Sequence, residues 1–446
     1  MGGKMKLGRG AWLRIAAYGV AVLLPFIVGA FGAEHEEEGE RLLRSVGKAI
    51  ALMGFAMLSM QFLVAARIKW AVEPFGLDRV MRFHKWAGIT AGTLIVLHPL
   101  GLVGGGAPWG MIFGKTSSDD IIIGRLAMLL LVALVVVSVY RLALKLEFQK
   151  WRLGHDIVAP VILVMGFVHS WELGDELEAP AARVLWAMYL VTALAALLYT
   201  RIIAPIYRNK HAYSIAEVKR ETHDAWTLKL VPGEGTKRFD YLPGQFHFVT
   251  LHRGRGLKAE EHPFTISSSP SEGGFVTSTI KQSGDYTATV GETLPGDAVA
   301  IQGPFGRFSY VLFPEENDLV FIAGGIGITP LMSMLRHMRD TASEKKVHLI
   351  WGNKTEGDIA FREELAAMES GGRPSLKVTH VLSAAEESWQ GERGYVDGEK
   401  ITRLCGDVTG KAFYICGPLV MMKKVIAALD GLGVDASRIH HELFSL

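Results

Sequence analysis

The sequence predicts a multidomain chain: an all-α six-helix transmembrane bundle, then an antiparallel β-barrel domain, then an α/β domain on a parallel sheet. Three observations carry that prediction. Six apolar stretches occur before residue 204, roughly 11–31, 46–66, 83–103, 121–141, 155–171 and 183–203. Each is near the ~20 residues a helix needs to cross hydrocarbon, and no comparable stretch follows. From residue 213 short alternating runs lie between Pro/Gly turns, such as 246–251 and 275–281, the pattern of half-buried strands. From about Asp318, strand-like runs (319–323, 347–351, 377–382, 413–416) alternate with helical ones (331–339, 362–368, 420–429). That is the βα rhythm of a parallel sheet.

Composition agrees. The 446 residues are 49% hydrophobic and 21% charged, with a mean hydropathy of +0.24. This is too apolar for an ordinary soluble protein and too charged for a pure membrane bundle. A formal net charge of +2 implies no nucleic-acid partner. The two cysteines, Cys405 and Cys416, exclude a disulfide scaffold and lack metal-ligand spacing, so thiols in a reducing compartment are expected. The expected domains are 1–210, 211–312 and 313–446, with 204–213 as a basic linker.

Loop charge gives the topology. The N-terminus (Lys4, Lys6, Arg9), the second connection (Arg67, Lys69, Arg79, Arg82), the fourth (Arg141, Lys145, Lys150, Arg152) and the end of span six (Arg201, Arg208, Lys210) are basic. The first connection (Glu34, Glu36, Glu37, Glu38, Glu40) and the fifth (Glu172, Asp175, Glu176, Glu178) are acidic. The positive-inside rule then puts both termini and the whole C-terminal half in the cytoplasm, in a multi-pass protein of the cell membrane. Span one, with a basic start and small residues at Ala30, Gly32 and Ala33, also has the pattern of a cleavable signal sequence. Either reading leaves the C-terminus cytoplasmic.

Four histidines lie in or beside apolar spans: His84 and His98 on span three, His155 and His169 on span five. Ionisable groups in hydrocarbon are costly and mark functional sites. Each pair is 14 residues apart, about 21 Å along a helix and four turns less about 40°. Each pair therefore shares one helix face, near opposite membrane surfaces. Because the two spans run in the same direction, His84 faces His155 and His98 faces His169. Facing imidazoles can supply both axial ligands of a haem iron, and two such pairs would hold two haems b stacked across the bilayer. Gly88 and Gly92 follow His84 on its face, either admitting a flat porphyrin or making a small-residue helix contact. Arg79, Arg82, Lys85 and Arg152 near the inner pair either meet haem propionates or simply follow the positive-inside rule.

Three further motifs lie in the C-terminal half. The first is His262-Pro263-Phe264-Thr265-Ile266-Ser267-Ser268-Ser269-Pro270, with Pro243-Gly244-Gln245-Phe246 upstream and Lys281, Gly284-Asp285-Tyr286-Thr287 downstream. Hydroxyls and a cation on a barrel edge can hold an isoalloxazine rim and a pyrophosphate. The second is Ala323-Gly324-Gly325-Ile326-Gly327-Ile328-Thr329-Pro330, between an apolar strand and a helical run. Glycines there let the backbone approach a phosphate at a helix N-terminus. The third is Cys416-Gly417-Pro418, whose cysteine ends a strand on the same edge as the glycine loop.

With these residues assembled, the chain resembles the NADPH oxidase and ferric reductase superfamily over nearly its whole length. That resemblance implies a six-helix bundle with two bis-histidine haems, followed by a ferredoxin–NADP reductase-like module that binds FAD and NADPH or NADH. His84, His98, His155 and His169 match the family's haem ligands. His262, Pro263, Phe264 and Thr265 match its flavin motif, with Thr265 nearest the isoalloxazine and Ser267 following. Lys281 and Thr287 match the pyrophosphate positions. Gly324, Gly325, Gly327, Thr329 and Pro330, with Cys416, Gly417 and Pro418, resemble its nicotinamide-nucleotide motifs. Phe444 fits the aromatic that covers the flavin, although Ser445 and Leu446 follow it. Calcium control is not expected, because no EF-hand pattern is present.

The expected function is outward electron transfer, and the parts require one another. Nicotinamide gives hydride, haem takes one electron at a time, and flavin converts between the two. With the inside negative, moving an electron out is favourable by about 2.3 kcal/mol per 100 mV. Dioxygen, giving superoxide, is the favoured outer acceptor, with a ferric chelate as the alternative. A histidine-lined proton or metal conduit without haem is the rival of a different class. Lys354, after a strand end that lacks a carboxylate, either pairs a 2′-phosphate, favouring NADPH, or is a solvated turn residue.

Overall fold

The computed structural model describes residues 8–32, 40–114, 118–174, 177–210 and 212–442. They form two compact units, one ending at Ala204 and the other starting at Pro205.

The first unit is helical: α1 (Arg9–Gly32), α2 (Glu40–Ala65), the short α3 (Lys69–Val72), α4 (Leu77–Gly104), the short α5 (Gly110–Phe113), α6 (Asp119–Val139), α7 (Phe148–Leu173) and α8 (Pro180–Leu198). Six of these are long and apolar enough to cross a membrane. Their outer faces carry exposed Leu129, Val132, Val136, Val184 and Val191, which only lipid makes tolerable. The protein is therefore a multi-pass membrane protein. One core packs Phe55 of α2 against Trp186 of α8, ring centres 4.5 Å apart. The indole N–H of Trp186 donates to the Ser170 hydroxyl on α7 (2.8 Å).

Helices α2 and α4 cross closely because small residues meet. A Cβ on Gly101 would lie 2.7 Å from the Gly47 Cα, and one on Gly54 would lie 2.9 Å from Ile95 Cδ1. Small-residue crossings of this kind hold helices together in lipid, where hydrophobic burial gives no drive.

The expected linker at 204–213 is instead mostly helix. A π turn (Tyr199–Ile203) leads from α8 into α9 (Ala204–Lys210), and a strand begins at Tyr213. Arg208 and Lys210 end α9, where cations favour the negative pole of the helix.

In the second unit, β1 (Tyr213–Arg220), β2 (Ala225–Pro232), β3 (Phe246–His252), β4 (Glu261–Thr265), β5 (Val276–Lys281) and β6 (Ala298–Phe305) form one sheet. Its order is β4-β3-β6-β1-β2-β5, and its pairings are antiparallel. An Ile266–Ser278 bridge joins the two edges, so the sheet closes into a barrel and leaves no long open edge. Leu228, Leu230, Leu251, Ile266 and Val299 fill it. The short helix α10 (Asp285–Ala288) follows β5.

The rest alternates β7 (Asp318–Gly324), α11 (Ile328–Asp340), β8 (Lys346–Asn353), α12 (Arg362–Gly371), β9 (Ser375–Leu382), β10 (Glu392–Arg393), α13 (Gly398–Cys405), β11 (Ala412–Cys416), α14 (Leu419–Gly431) and β12 (Ile439–His441). The parallel order is β10-β9-β8-β7-β11-β12. Chain direction across the sheet reverses between β7 and β11, which makes their C-terminal ends the topological switch point where ligands bind in such folds.

Candidate functional site

The membrane histidines come together as the 14-residue spacing predicts for the inner pair. The rings of His84 (α4) and His155 (α7) have centres 6.2 Å apart at 50°. A metal bound to one nitrogen of each ring, through bonds of about 2.0 Å, sets ring centres roughly 6 Å apart, so this pair has room for one iron. Trp151, one turn before His155, packs on its ring with centres 5.5 Å apart, and its N–H donates to Ser138 on α6 (3.2 Å).

The outer pair is characterised through its second nitrogens. His98 Nδ1 donates to the Gly47 carbonyl of α2 (2.9 Å), and His169 Nδ1 donates to the Asp120 carbonyl of α6 (2.8 Å). A carbonyl only accepts, so both Nδ1 atoms carry a proton, and Nε2 is the nitrogen left to ligate when the ring is neutral. That is the tautomer a metal ligand needs, held by the kind of partner that orients metal-bound histidines. Gly124 makes the second contact possible, since a Cβ there would overlap the His169 ring. Neither Gly47 nor Gly124 was singled out from sequence, because their partners lie some 50 residues away and follow no local pattern.

Of the two glycines after His84, Gly88 faces open space, whereas a Cβ on Gly92 would touch Val135 of α6 at 3.5 Å. Gly92 thus serves helix packing, and Gly88 leaves the face beside His84 clear. Arg82 pairs with Asp78 (3.0 Å) and Arg152 with Asp156 (3.8 Å), each one turn away on its own helix. Arg125 on α6 donates to the carbonyls of Met111, Gly114 and Gly110 at 2.9, 2.8 and 2.6 Å and so fastens the turn around α5.

In the barrel, Thr265 ends β4 opposite Phe246, with Phe264 opposite His247 and Pro263 opposite Phe248. His262 stacks on Tyr286, ring centres 4.0 Å apart. Thr287 accepts from the Ser283 N–H (2.8 Å) and shapes the turn before α10. Gly244 has φ +94°, and a Cβ there would strike the Phe308 carbonyl, so this turn admits only glycine.

Two expected cofactor residues have partners within the protein. Ser267 is fully buried, and its hydroxyl bonds Thr277 (2.9 Å) and Thr279 (3.0 Å). It belongs to a hydroxyl ladder in the barrel wall and presents nothing at the edge. Lys281 pairs with Asp224 (3.1 Å) and Asp358 (3.2 Å). Burial alone would lower its ammonium, but the two carboxylates outweigh that and hold it above its ordinary value.

At the switch point the two loops touch. A Cβ on Gly417 would lie 2.9 Å from the Gly324 N, and one on Gly327 would overlap the Cys416 carbonyl. Gly325 takes φ +51° and has open space beside it. Thr329 donates to the Ile326 carbonyl (3.0 Å), and Pro330 lies in the first turn of α11, where its missing N–H costs nothing. Pro418 precedes α14 and would meet a side chain on Gly324 at 2.8 Å. The result is a tight loop pair packed under Met421 and Pro418, with open space only beside Gly325.

Cys416 is buried at the end of β11. Burial pushes its thiol up to about 12, with Glu442 adding to the effect. Glu442 was not singled out from sequence. It is itself buried, and its carboxylate would meet a Cβ on Gly306 at 2.8 Å, which brings it beside Phe246 and the Thr265 end of β4. Lys354 is exposed, while Asn353 beside it is buried with neither amide atom hydrogen-bonded. Phe444 lies outside the described residues.

Helix α11 ties the two β domains together. Ser333 donates to the Ser268 carbonyl (2.7 Å) and Arg336 to the Ser267 carbonyl (2.6 Å). The other side of the Arg336 guanidinium makes a bidentate pair with Glu364 at 2.8 and 2.6 Å.

Comparison with known proteins agrees with this layout. Residues 50–166 match the family described as ferric reductase like transmembrane component, 210–309 an FAD-binding domain, and 321–426 an oxidoreductase NAD-binding domain. The chain is 32% identical to a glycine betaine monooxygenase reductase subunit of Pseudomonas aeruginosa, over 53% of this chain and 64% of that protein. It is 33% identical to sulfhydrogenase 2 subunit gamma of Pyrococcus furiosus, over 53% of this chain and 84% of that one. The FAD/NAD-binding domain of a nitric oxide dioxygenase from Vibrio cholerae covers 52% of this chain and 98% of that domain, at 23% identity and a TM-score of 0.47. Fold and matches together define an oxidoreductase architecture: a ferric reductase-like membrane domain followed by FAD- and NAD-binding domains. This is the domain architecture of the ferric reductase and NADPH oxidase superfamily.

Proposed function

We propose that this chain carries electrons across the cell membrane, from cytoplasmic NADPH or NADH through FAD and two haems b to an outer acceptor. Dioxygen is that acceptor and superoxide the product. The observation that carries the reading is the His84/His155 pair, whose ring centres stand 6.2 Å apart, with His98 and His169 fourteen residues further along the same helices. When bound, FAD would accept hydride from the nicotinamide and the haems would pass single electrons outward.

The chain's own residues do the positioning. Gly47 and Asp120 carbonyls hold the Nδ1–H of the outer imidazoles and leave Nε2 as the nitrogen to bind iron. Gly325 bares the backbone to a pyrophosphate, while Gly324, Gly327 and Gly417 let the two loops close on each other, with Thr329 and Pro330 opening α11 behind them. Thr265 ends β4 at the site proposed for the flavin ring, with His262 and Thr287 on the pyrophosphate side. Cys416, with its thiol pushed up to about 12, stays neutral and excludes water at the nicotinamide. If both irons carry two histidines, neither has an open position, so the acceptor takes its electron at the porphyrin edge. Arg125 adjoins Gly124, on which the His169 ring rests, and a cation there favours an acceptor that leaves as an anion. The family description favours a ferric chelate instead, and the test separates the two.

That test is an anaerobic optical spectrum of the detergent-purified, haem- and FAD-loaded protein, before and after NADPH. Haem bands should move to the reduced low-spin form. Admitting air should then give dye reduction sensitive to superoxide dismutase, whereas a ferric-chelate reductase would reoxidise with ferric citrate and give none. Absence of haem despite haem supply during expression would sink the electron path and promote the conduit.

A further inference from the structure

His98 and His169 have a main-chain partner for Nδ1 and Trp151 packs on His155, whereas His84 has its second nitrogen left over. Its Nδ1 is buried without a hydrogen-bond partner. In the same unit the buried polar atoms lacking partners also include Gln61 Oε1, Tyr18 OH and Gln149 Nε2. Gln61 lies on α2 and is 7% exposed, and its amide nitrogen reaches only the Met57 carbonyl one turn back, at 3.4 Å.

Helix register connects Gln61 to His84. At the outer end, the Gly47 carbonyl of α2 meets His98 of α4. Moving inward, a Cβ on Gly54 would meet Ile95 and the Ala91 carbonyl, and Met57 packs with Ala87 and Ala91. Contacts on α2 thus ascend while those on α4 descend, as in an antiparallel pair. From Gly47 to Gln61 is fourteen residues, and from His98 to His84 is also fourteen. Each helix therefore advances about 21 Å and turns back by about 40°, which brings the same two faces together again. Gln61 stands to His84 as Gly47 stands to His98.

The chemistry differs for a physical reason. At Gly47 and Gly101 the backbones nearly touch, so a main-chain carbonyl reaches the ring. At the inner end α2 presents Met57 and Gln61 rather than glycine, so an acceptor there comes from a side chain. We propose that the Gln61 side-chain carbonyl accepts the Nδ1 proton of His84 and positions it as a ligand of the inner haem. This rests on the haem reading above. An acceptor on Nδ1 raises the donor strength of Nε2, which stabilises ferric over ferrous iron.

The experiment compares Gln61→Leu, Gln61→Glu and Tyr18→Phe with the wild type as full-length, haem-loaded protein in detergent. It measures haems retained per chain and both midpoint potentials by spectroelectrochemical titration. The inner haem is the one lost in His84→Leu. Gln61→Leu should weaken inner-haem retention about 10- to 100-fold and raise its midpoint, with the outer haem unmoved. A tenfold loss confined to the ferric state corresponds to about 59 mV. Gln61→Glu, which keeps an acceptor, should restore retention and lower the midpoint, and Tyr18→Phe should change neither. Two haems in the wild type with both midpoints unmoved in Gln61→Leu would overturn the Gln61 assignment alone. An inner midpoint that responds to Tyr18→Phe but not to Gln61→Leu would do the same. A wild type that retains no haem would overturn the haem reading together with it.

Discussion

In the membrane unit, Gly47, Gly101 and Gly124 matter for the volume they leave out, and imidazoles are fixed by main-chain carbonyls. In the soluble unit, Gly244 and Gly325 matter for a left-handed backbone, and the motifs are fixed by charged side chains such as Arg336, Glu364 and Lys281. The difference follows from the surroundings. A charged positioning group inside hydrocarbon costs several kcal/mol, whereas helix carbonyls are already there and need only close approach. Near water, charged hydrogen bonds are strong and tolerable.

The comparison breaks most visibly at Gly124. Gly124→Ala should expel the His169 ring, and on the proposed two-haem path haem per chain should fall from two to one. Pyridine haemochrome analysis checks this, and an unchanged ratio would mean the missing volume at Gly124 is not needed.

Next in size is the switch point. Gly327→Ala should strain the contact with the Cys416 carbonyl by about 1–3 kcal/mol. Reduction by NADPH should slow by roughly tenfold or more, while dithionite reduces the haems as before. Stopped-flow absorbance separates the two donors.

A smaller effect tests the charged seam. Burial would raise the Glu364 carboxyl, but the Arg336 hydrogen bonds outweigh it and hold it below its ordinary value. A depressed carboxylate gives stability that is present above its unfolded pKa and lost as pH falls through its folded value. Wild-type melting temperature should therefore drop more steeply in acid than that of Glu364→Gln. At neutral pH the variant should lose about 2 kcal/mol, less than for a fully buried pair because the Glu364 side chain is 30% exposed. Parallel melting curves from pH 7 to pH 3 would contradict this.

The smallest effect concerns the thiols. Burial pushes Cys405 up to about 11 and Cys416 up to about 12, so few thiolates form at pH 8. Iodoacetamide should alkylate the native protein far more slowly than the unfolded chain, as mass spectrometry would record.

Much of this layout was legible in the sequence, for identifiable reasons. A span must be about twenty apolar residues long, so the six helices announce themselves. A phosphate loop must sit between strand and helix, so Gly324 to Pro330 stands out. The histidine pairs are legible because each lies on one helix. What escaped depends on contacts between distant segments. Ser267 reads as an exposed hydroxyl until the register of β5 sets Thr277 and Thr279 beside it. Lys281 reads as an unpaired cation until Asp358, 77 residues on, meets it. Glu442 carries no motif, and only the fold brings it to Cys416. The stretch 204–213 read as a linker because its charges hid a helix end.

The Arg336 seam has a kinetic consequence. Opening a hinge between barrel and nucleotide domain would break the Arg336–Ser267 and Ser333–Ser268 bonds and the Lys281–Asp358 pair together, while the Arg336–Glu364 pair stays within the nucleotide domain. Turnover that waited on such opening would be slow. Exchange of spent for fresh dinucleotide is therefore best served by small rearrangements at the strip of glycines, while the two domains travel as one body.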